Sequence, residues 1–164
     1  MVRVPGVSPL PHTGSMTSFI RPPAPRPCES CPYRRDVPAG IWASEEYEKL
    51  RRYDADTPEQ PTGVFQCHQA DADSDTRRIC AGWLGCHGGT ELLALRIAVL
   101  DGRIDSSTYR AAADYESPVP LFSSGGAAAA HGEAGVAAPA EEARRMIGKI
   151  CQTRGDLVQD PAAP

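Results

Sequence analysis

Cysteine and histidine are the side chains in this chain best suited to binding a metal or attacking an electrophile, and they are bunched. Five of the six cysteines and two of the four histidines fall between Cys28 and His87. They occur as Cys28-Glu-Ser-Cys31-Pro32, as Phe65-Gln-Cys67-His68 and as Cys80-Ala-Gly-Trp-Leu-Gly-Cys86-His87. Two residues between Cys28 and Cys31 let both sulfurs point the same way from a tight turn, and Pro32 stiffens the exit. Soft ligands at these spacings point to a bound metal rather than to scattered thiols.

A tetrahedral site needs two further ligands, and Cys67, His68, Cys80, Cys86 and His87 offer more than two. Adjacent residues seldom bind the same ion. We therefore expect Cys28, Cys31, Cys67 and Cys80 as the metal ligands, with His68, Cys86 and His87 as additional or alternative ones. Four thiolates suit Zn2+ in a closed structural site, where the binding free energy, about 10–16 kcal/mol apparent in small zinc peptides, becomes folding free energy. The same donor softness suits an iron–sulfur cluster, which stands as the alternative cofactor. The glycines Gly82, Gly85, Gly88 and Gly89 would let the backbone close tightly around the site, and Trp42 and Trp83 would supply an apolar shell.

Catalytic patterns lack a partner or the right order. Pro27-Cys28-Glu-Ser-Cys31 and His131-Gly-Glu133 resemble the two halves of a zinc deaminase, but in reversed order. A dithiol oxidoreductase built on Cys28 and Cys31 needs that pair free of metal and near a βαβ pattern, which is absent. Asp71, Asp73 and Asp75 alternate as in a calcium loop but lack its glycine and distal glutamate. No catalytic residue is assigned. The expected function is a non-enzymatic, zinc-stabilised binding or regulatory module with a protein partner; the alternative is an iron–sulfur protein in redox sensing or electron transfer.

The bulk properties agree with a small domain in need of a staple. The chain has 164 residues with 15 glycines, 16 prolines and 6% aromatics, enough for one modest core with loose ends. The net charge of -4 is unevenly spread. Arg34-Arg35, Arg51-Arg52, Arg77-Arg78 and Arg144-Arg145 are isolated pairs, too sparse for a nucleic-acid footprint, although folding could gather some of them into a basic patch. The N-terminus lacks the apolar run of a signal peptide, and no stretch is long enough to span a bilayer. A cytoplasmic location is expected, where thiols stay reduced.

The elements that must position the thiols follow from punctuation and periodicity. Residues 1–26 are expected as a disordered Pro-rich tail. Residues 27–121 form the metal-binding core. Within it lie a helix near 45–53 started by Ser44, a short strand Val64–Cys67, a core helix opened by Thr90 and carrying Leu92, Leu93, Leu95, Ile97 and Leu100, and a short helix from Ser106 or Ser107 to about Asp114. Residues 122–138 read as a Gly/Ala-rich linker or a weak Ala-rich helix. Residues 139–154 form a C-terminal amphipathic helix with Met146, Ile147, Ile150 and Cys151 on one side, and 155–164 a disordered tail. The fold class expected is a small α-rich (α+β), metal-stabilised domain with Cys/His knuckles, one short strand or hairpin and three to four helices.

The segments Cys28-x-x-Cys-Pro-Tyr-Arg-Arg-Asp-Val-Pro-Ala-Gly-Ile-Trp42, Phe65-Gln-Cys-His68, Cys80-Ala-Gly-Trp-Leu-Gly-Cys-His87 and Leu92-Leu-Ala-Leu-Arg96 resemble an uncharacterised Cys/His-rich family of actinobacteria and their phages. The resemblance covers roughly residues 27–155. It implies a soluble intracellular protein with a metal-type signature, and it supplies no reaction.

Overall fold

The computed structural model describes residues 2–3, 19–70, 74–154 and 157–159. Six α-helices dominate them: α1 (Ser44–Arg52), α2 (Ala81–His87), α3 (Leu93–Leu100), α4 (Ser106–Ala113), α5 (Gly125–Glu133) and α6 (Glu141–Thr153). Regular strand is confined to β1 (Val2–Arg3) and β2 (Val158–Gln159), paired antiparallel with Val2 opposite Gln159. The helix-rich expectation therefore holds, with six helices rather than three or four among the described residues. No helix there is long and apolar enough to cross a membrane.

Helix α1 forms where acidic Glu45 and Glu46 occupy the first turn and Lys49, Arg51 and Arg52 the last, each sign matching the end of the helix dipole it faces. Its buried side carries Tyr47 and Leu50. Ser44 is the first helical residue rather than the cap; Ala43 holds the cap position. Helix α4 is capped by Asp105, whose carboxylate accepts from the Thr108 amide at 2.7 Å. Helix α3 begins two residues later than the Thr90 cap predicts, at Leu93, because Gly89–Glu91 form a separate 3-10 turn. Leu92 and Leu95 enter the core as expected, whereas Leu100 is 85% exposed.

Helix α2 went unrecognised in the sequence, and α5 was expected only as the alternative to a linker. Helix α2 contains Gly82 and Gly85, and α5 begins Gly125-Gly126, residues that cost a helix about 1 kcal/mol each relative to alanine. Packing overrides that cost. The segment expected as a Gly/Ala linker lies antiparallel against α1, with Gly132 against the Tyr47 ring and Gly125 against the Leu50 carbonyl. A Cβ on Gly132 would stand 2.0 Å from Tyr47 Cε1, so only glycine permits this approach. Asp54, just past α1, accepts from the amides of Gly125 at 2.6 Å and Gly126 at 2.5 Å, satisfying the first free donors of α5. At the other end Arg51 grips Glu133 with two bonds of 2.6 Å.

The core gathers Tyr33, Trp42, Leu50, Trp83, Leu84 and Leu95. Ile147 of α6 joins it, while Met146, Ile150 and Cys151 pack at its margin. Part of each expected tail also packs. Ile20 is buried, and Arg21 bridges to Arg78; Val2 is fully buried and bridges to Trp42; Leu157 is buried. Residues 4–18 and 160–164 of those tails lie outside the described residues, as do Asp71 and Asp73.

Candidate metal centre

Three short segments bring the cysteines together. The first is a turn closed by the Cys31 amide donating to the Cys28 carbonyl at 3.1 Å, and anchored where Trp42 Nε1 donates to the Ser30 carbonyl at 2.9 Å. The other two are extended and share backbone bonds. The Cys67 amide donates to Arg78 O at 3.0 Å and the Cys80 amide to Phe65 O at 2.8 Å. The expected strand at Val64–Cys67 is thus an extended segment with a single bridge, Gln66 to Ile79. Residues 77–79 also bond to Arg21 on their other side, at 3.0 and 3.1 Å. This strip fixes Cys67 beside Cys80.

The four sulfurs run as a chain in the order Cys67, Cys28, Cys31, Cys80, each sharing thiol hydrogen bonding with the next. Hydrogen bonding from Cys31, then from Cys67, holds Cys28 well below the ordinary thiol value, and the His68 charge adds to the effect. The same bonding to Cys28 pushes Cys31 and Cys67 up, with Cys80 and burial adding at Cys31 and burial at Cys67. Hydrogen bonding thus favours the charged form of Cys28 over the charged forms of its two neighbours. Among the described residues no three Cys, His, Asp or Glu side chains already surround one point as a metal would require. The donors fit a thiophilic metal by type and by pairwise contact. Closing the chain of sulfurs into a tetrahedron takes an ion and the release of protons.

Helix α2 forms the lid of this chain. A Cβ on Gly82 would meet Cys31 Sγ at 2.3 Å, so the helix backbone lies directly on the sulfur. Cys31 is only 1% exposed and Cys80 2%, whereas Cys28 and Cys67 are half-buried.

The three alternative ligands have other surroundings. His68 is stacked 4.7 Å from Trp42 and 5.5 Å from Phe65, with Nε2 3.6 Å from Glu46 Oε2. Its buried Nδ1 lacks a hydrogen-bond partner. Burial would raise the Glu46 carboxyl, but hydrogen bonds from His68 and Lys49 outweigh it and bring the group down to about 2. Cys86 donates to the Phe122 carbonyl at 3.3 Å, and burial pushes its thiol up to about 12. His87 faces the Trp83 carbonyl through Nδ1 at 3.0 Å and Asp54 through Nε2 at 2.7 Å. Cys86 and His87 thus tie α2 to its neighbours, and no thiol hydrogen bond joins either to the sulfur chain.

Residues of the rejected catalytic pattern are also occupied structurally. His131 Nε2 bonds to the Val37 carbonyl at 2.9 Å, and Glu133 is held by Arg51. Sequence reasoning missed Glu46 as the companion of His68, treating it only as a first-turn acid of α1. Its place four residues after Trp42, which stacks on His68, is a signal visible only once Trp42 is known to adjoin the site. Asp54 was missed as well, because its partners lie 71 and 72 residues away.

No curated protein and no solved structure matches the chain. Residues 23–154 match a family described as a family of unknown function, DUF6283. That span takes in all three segments that carry the four sulfurs and every helix among the described residues, and the chain belongs to this family.

Proposed function

We propose that this chain is a non-enzymatic binding or regulatory module held together by one Zn2+ on Cys28, Cys31, Cys67 and Cys80, presenting its surface to a protein partner. The observation that supports the proposal is the chain of four sulfurs, each paired with the next, assembled from three separate segments. A Zn–S bond of about 2.3 Å sets tetrahedral sulfurs roughly 3.8 Å apart, close to the spacing at which thiols hydrogen-bond. An iron–sulfur cluster would have to spread the same sulfurs wider. When bound, the metal would supply cross-linking of the three segments rather than chemistry on a substrate, since Cys31 and Cys80 lie under α2.

The half-buried positions of Cys28 and Cys67 favour a second reading, an iron–sulfur protein in redox sensing or electron transfer, because a cluster could extend outward from them. Anaerobic purification followed by visible absorption and metal analysis decides between the two. A colourless protein with near-stoichiometric zinc supports the module. A brown protein that bleaches in air supports the cluster, and a protein retaining neither metal overturns both.

A further inference from the structure

A cavity of about 730 Å3 opens beside the sulfur chain, with Cys28, Cys67 and Cys80 on its wall. Among the described residues its charged lining is Arg21, Arg26, Arg34 and Arg78 against the one carboxylate of Glu29. In a chain of net charge -4 this concentration of guanidinium groups is local, and low-dielectric walls focus its field.

Backbone pairing forces part of it. Arg21 and Arg78 are bridge partners on adjacent segments, so two like charges occupy facing positions, an arrangement that is destabilising when nothing lies between them. Arg34 is already committed, with two bonds to Asp36 at 2.6 and 2.8 Å and further bonds to the Pro27 and Cys28 carbonyls. Arg21, Arg26 and Arg78 have no carboxylate partner in hydrogen-bonded contact among the described residues. Three guanidinium forks facing one space match the oxygens of a phosphate dianion better than a single carboxylate. Gln69 and Thr76 add neutral polar groups, while Ala24, Ala70, Ile79 and Ala81 give an apolar floor for an organic body. The volume lies in the range of small-molecule sites, and a concave, half-open basic pocket on an acidic chain differs from the extended stripe that a nucleic acid backbone requires.

We propose that this cavity binds a small phosphorylated organic molecule, its phosphate held between Arg21, Arg26 and Arg78 and its body against Ala24 and Ala70. The proposal stands on the arginines and the cavity, and goes beyond the metal reading without depending on it.

The test titrates the full chain, with whatever metal it carries, using adenosine monophosphate and inorganic pyrophosphate in a calorimeter at about 50 mM salt. Saturable one-to-one binding is expected. Arg21→Gln, Arg26→Gln and Arg78→Gln should each weaken it by about tenfold. Arg96→Gln, whose parent side chain bonds to the Thr90 carbonyl on α3, should leave it unchanged. Arg26 is exposed, so its variant keeps the test informative if the two bridge arginines prove necessary for folding. Absence of binding to both probes overturns the proposal, as does equal weakening by Arg96→Gln. Loss of metal in the three variants also overturns it, by marking these arginines as charge partners of the thiolates. Tighter binding of a ten-nucleotide single strand than of the mononucleotide overturns it in favour of a nucleic acid surface. Phosphate binding by a protein that carries no metal would sink the metal reading and leave this one standing.

Discussion

Gly82 sits directly on Cys31: a Cβ at this glycine would stand 2.3 Å from the Cys31 sulfur. Helix α2 and the Cys28–Cys31 turn therefore share a contact that one methyl group disrupts.

Gly82→Ala is expected to destabilise the fold despite its gain in helix propensity. Alanine offers up to about 1 kcal/mol within a helix, whereas overpacking a site that cannot yield costs about 1–3 kcal/mol. Cys31 is 1% exposed and has no room to retreat, so the clash prevails. Urea denaturation should show a net loss of about 1–2 kcal/mol, and metal analysis a lower occupancy. An unchanged midpoint would contradict the proposed lid.

Cys31 and Cys151 make a contrasting pair. If the proposed ion on four sulfurs supports the fold, Cys31→Ala should remove metal retention and cooperative unfolding together. Cys151 lies half-buried on α6, apart from the sulfur chain, and Cys151→Ala should retain the parent's full metal content. Metal analysis beside thermal melts checks both. A Cys31→Ala protein that melts like the parent with its metal in place would refute the ligand set.

Glu46 gives a pH dependence of known sign. Its carboxyl falls from the ordinary 4.5 to about 2, since His68 and Lys49 outweigh burial. A group whose folded value is lowered contributes stability in full above about 4.5 and loses it as pH falls toward 2. Glu46→Gln should cost about 1–3 kcal/mol at neutral pH, the upper figure being discounted because Lys49 is partly exposed. The difference between parent and variant, measured by denaturation at a series of pH values, should shrink between pH 4.5 and 2. Taking the difference separates this effect from acid release of the metal. A constant difference across that window would refute the assignment.

Asp54 joins three elements, accepting from His87 on α2 and from the Gly125 and Gly126 amides of α5 just beyond the end of α1. Asp54→Ala leaves those donors unmatched and should cost about 2 kcal/mol, whereas Asp54→Asn keeps one acceptor and should cost about half as much. Thermal melts of the two variants give the ordering. Equal stability of parent and Asp54→Ala would show that water replaces the carboxylate.

The parts of the fold legible in the sequence were those in which local preference and tertiary packing agree. Helices α1, α3, α4 and α6 announce themselves by charge at their ends or by apolar spacing, and each lies within a few residues of its expected place. Helix α2 was illegible, and α5 legible only as an alternative to a linker, because their glycines argue locally for turn or linker. Their reason is Cys31 in one case and Tyr47 in the other, each distant in the chain. At the site, the spacing of Cys28 and Cys31 announced their shared turn. The order in which the sulfurs meet depended on the backbone strip of Arg21, Gln66 and Arg78, which carries no pattern of its own. The arginine-lined cavity was equally hidden, since Arg21 and Arg26 fall in a stretch whose prolines read as a tail.

Helix α5 turns the usual expectation about low-complexity segments around. A run of glycine and alanine is ordinarily the part of a chain freest to drift, since little distinguishes one small residue from another. Here each replacement adds atoms at an interface where Gly125 meets the Leu50 backbone and Gly132 meets the Tyr47 ring. In the plainest stretch of the chain, smallness at Gly125, Ala128, Ala129 and Gly132 is therefore what the packing demands.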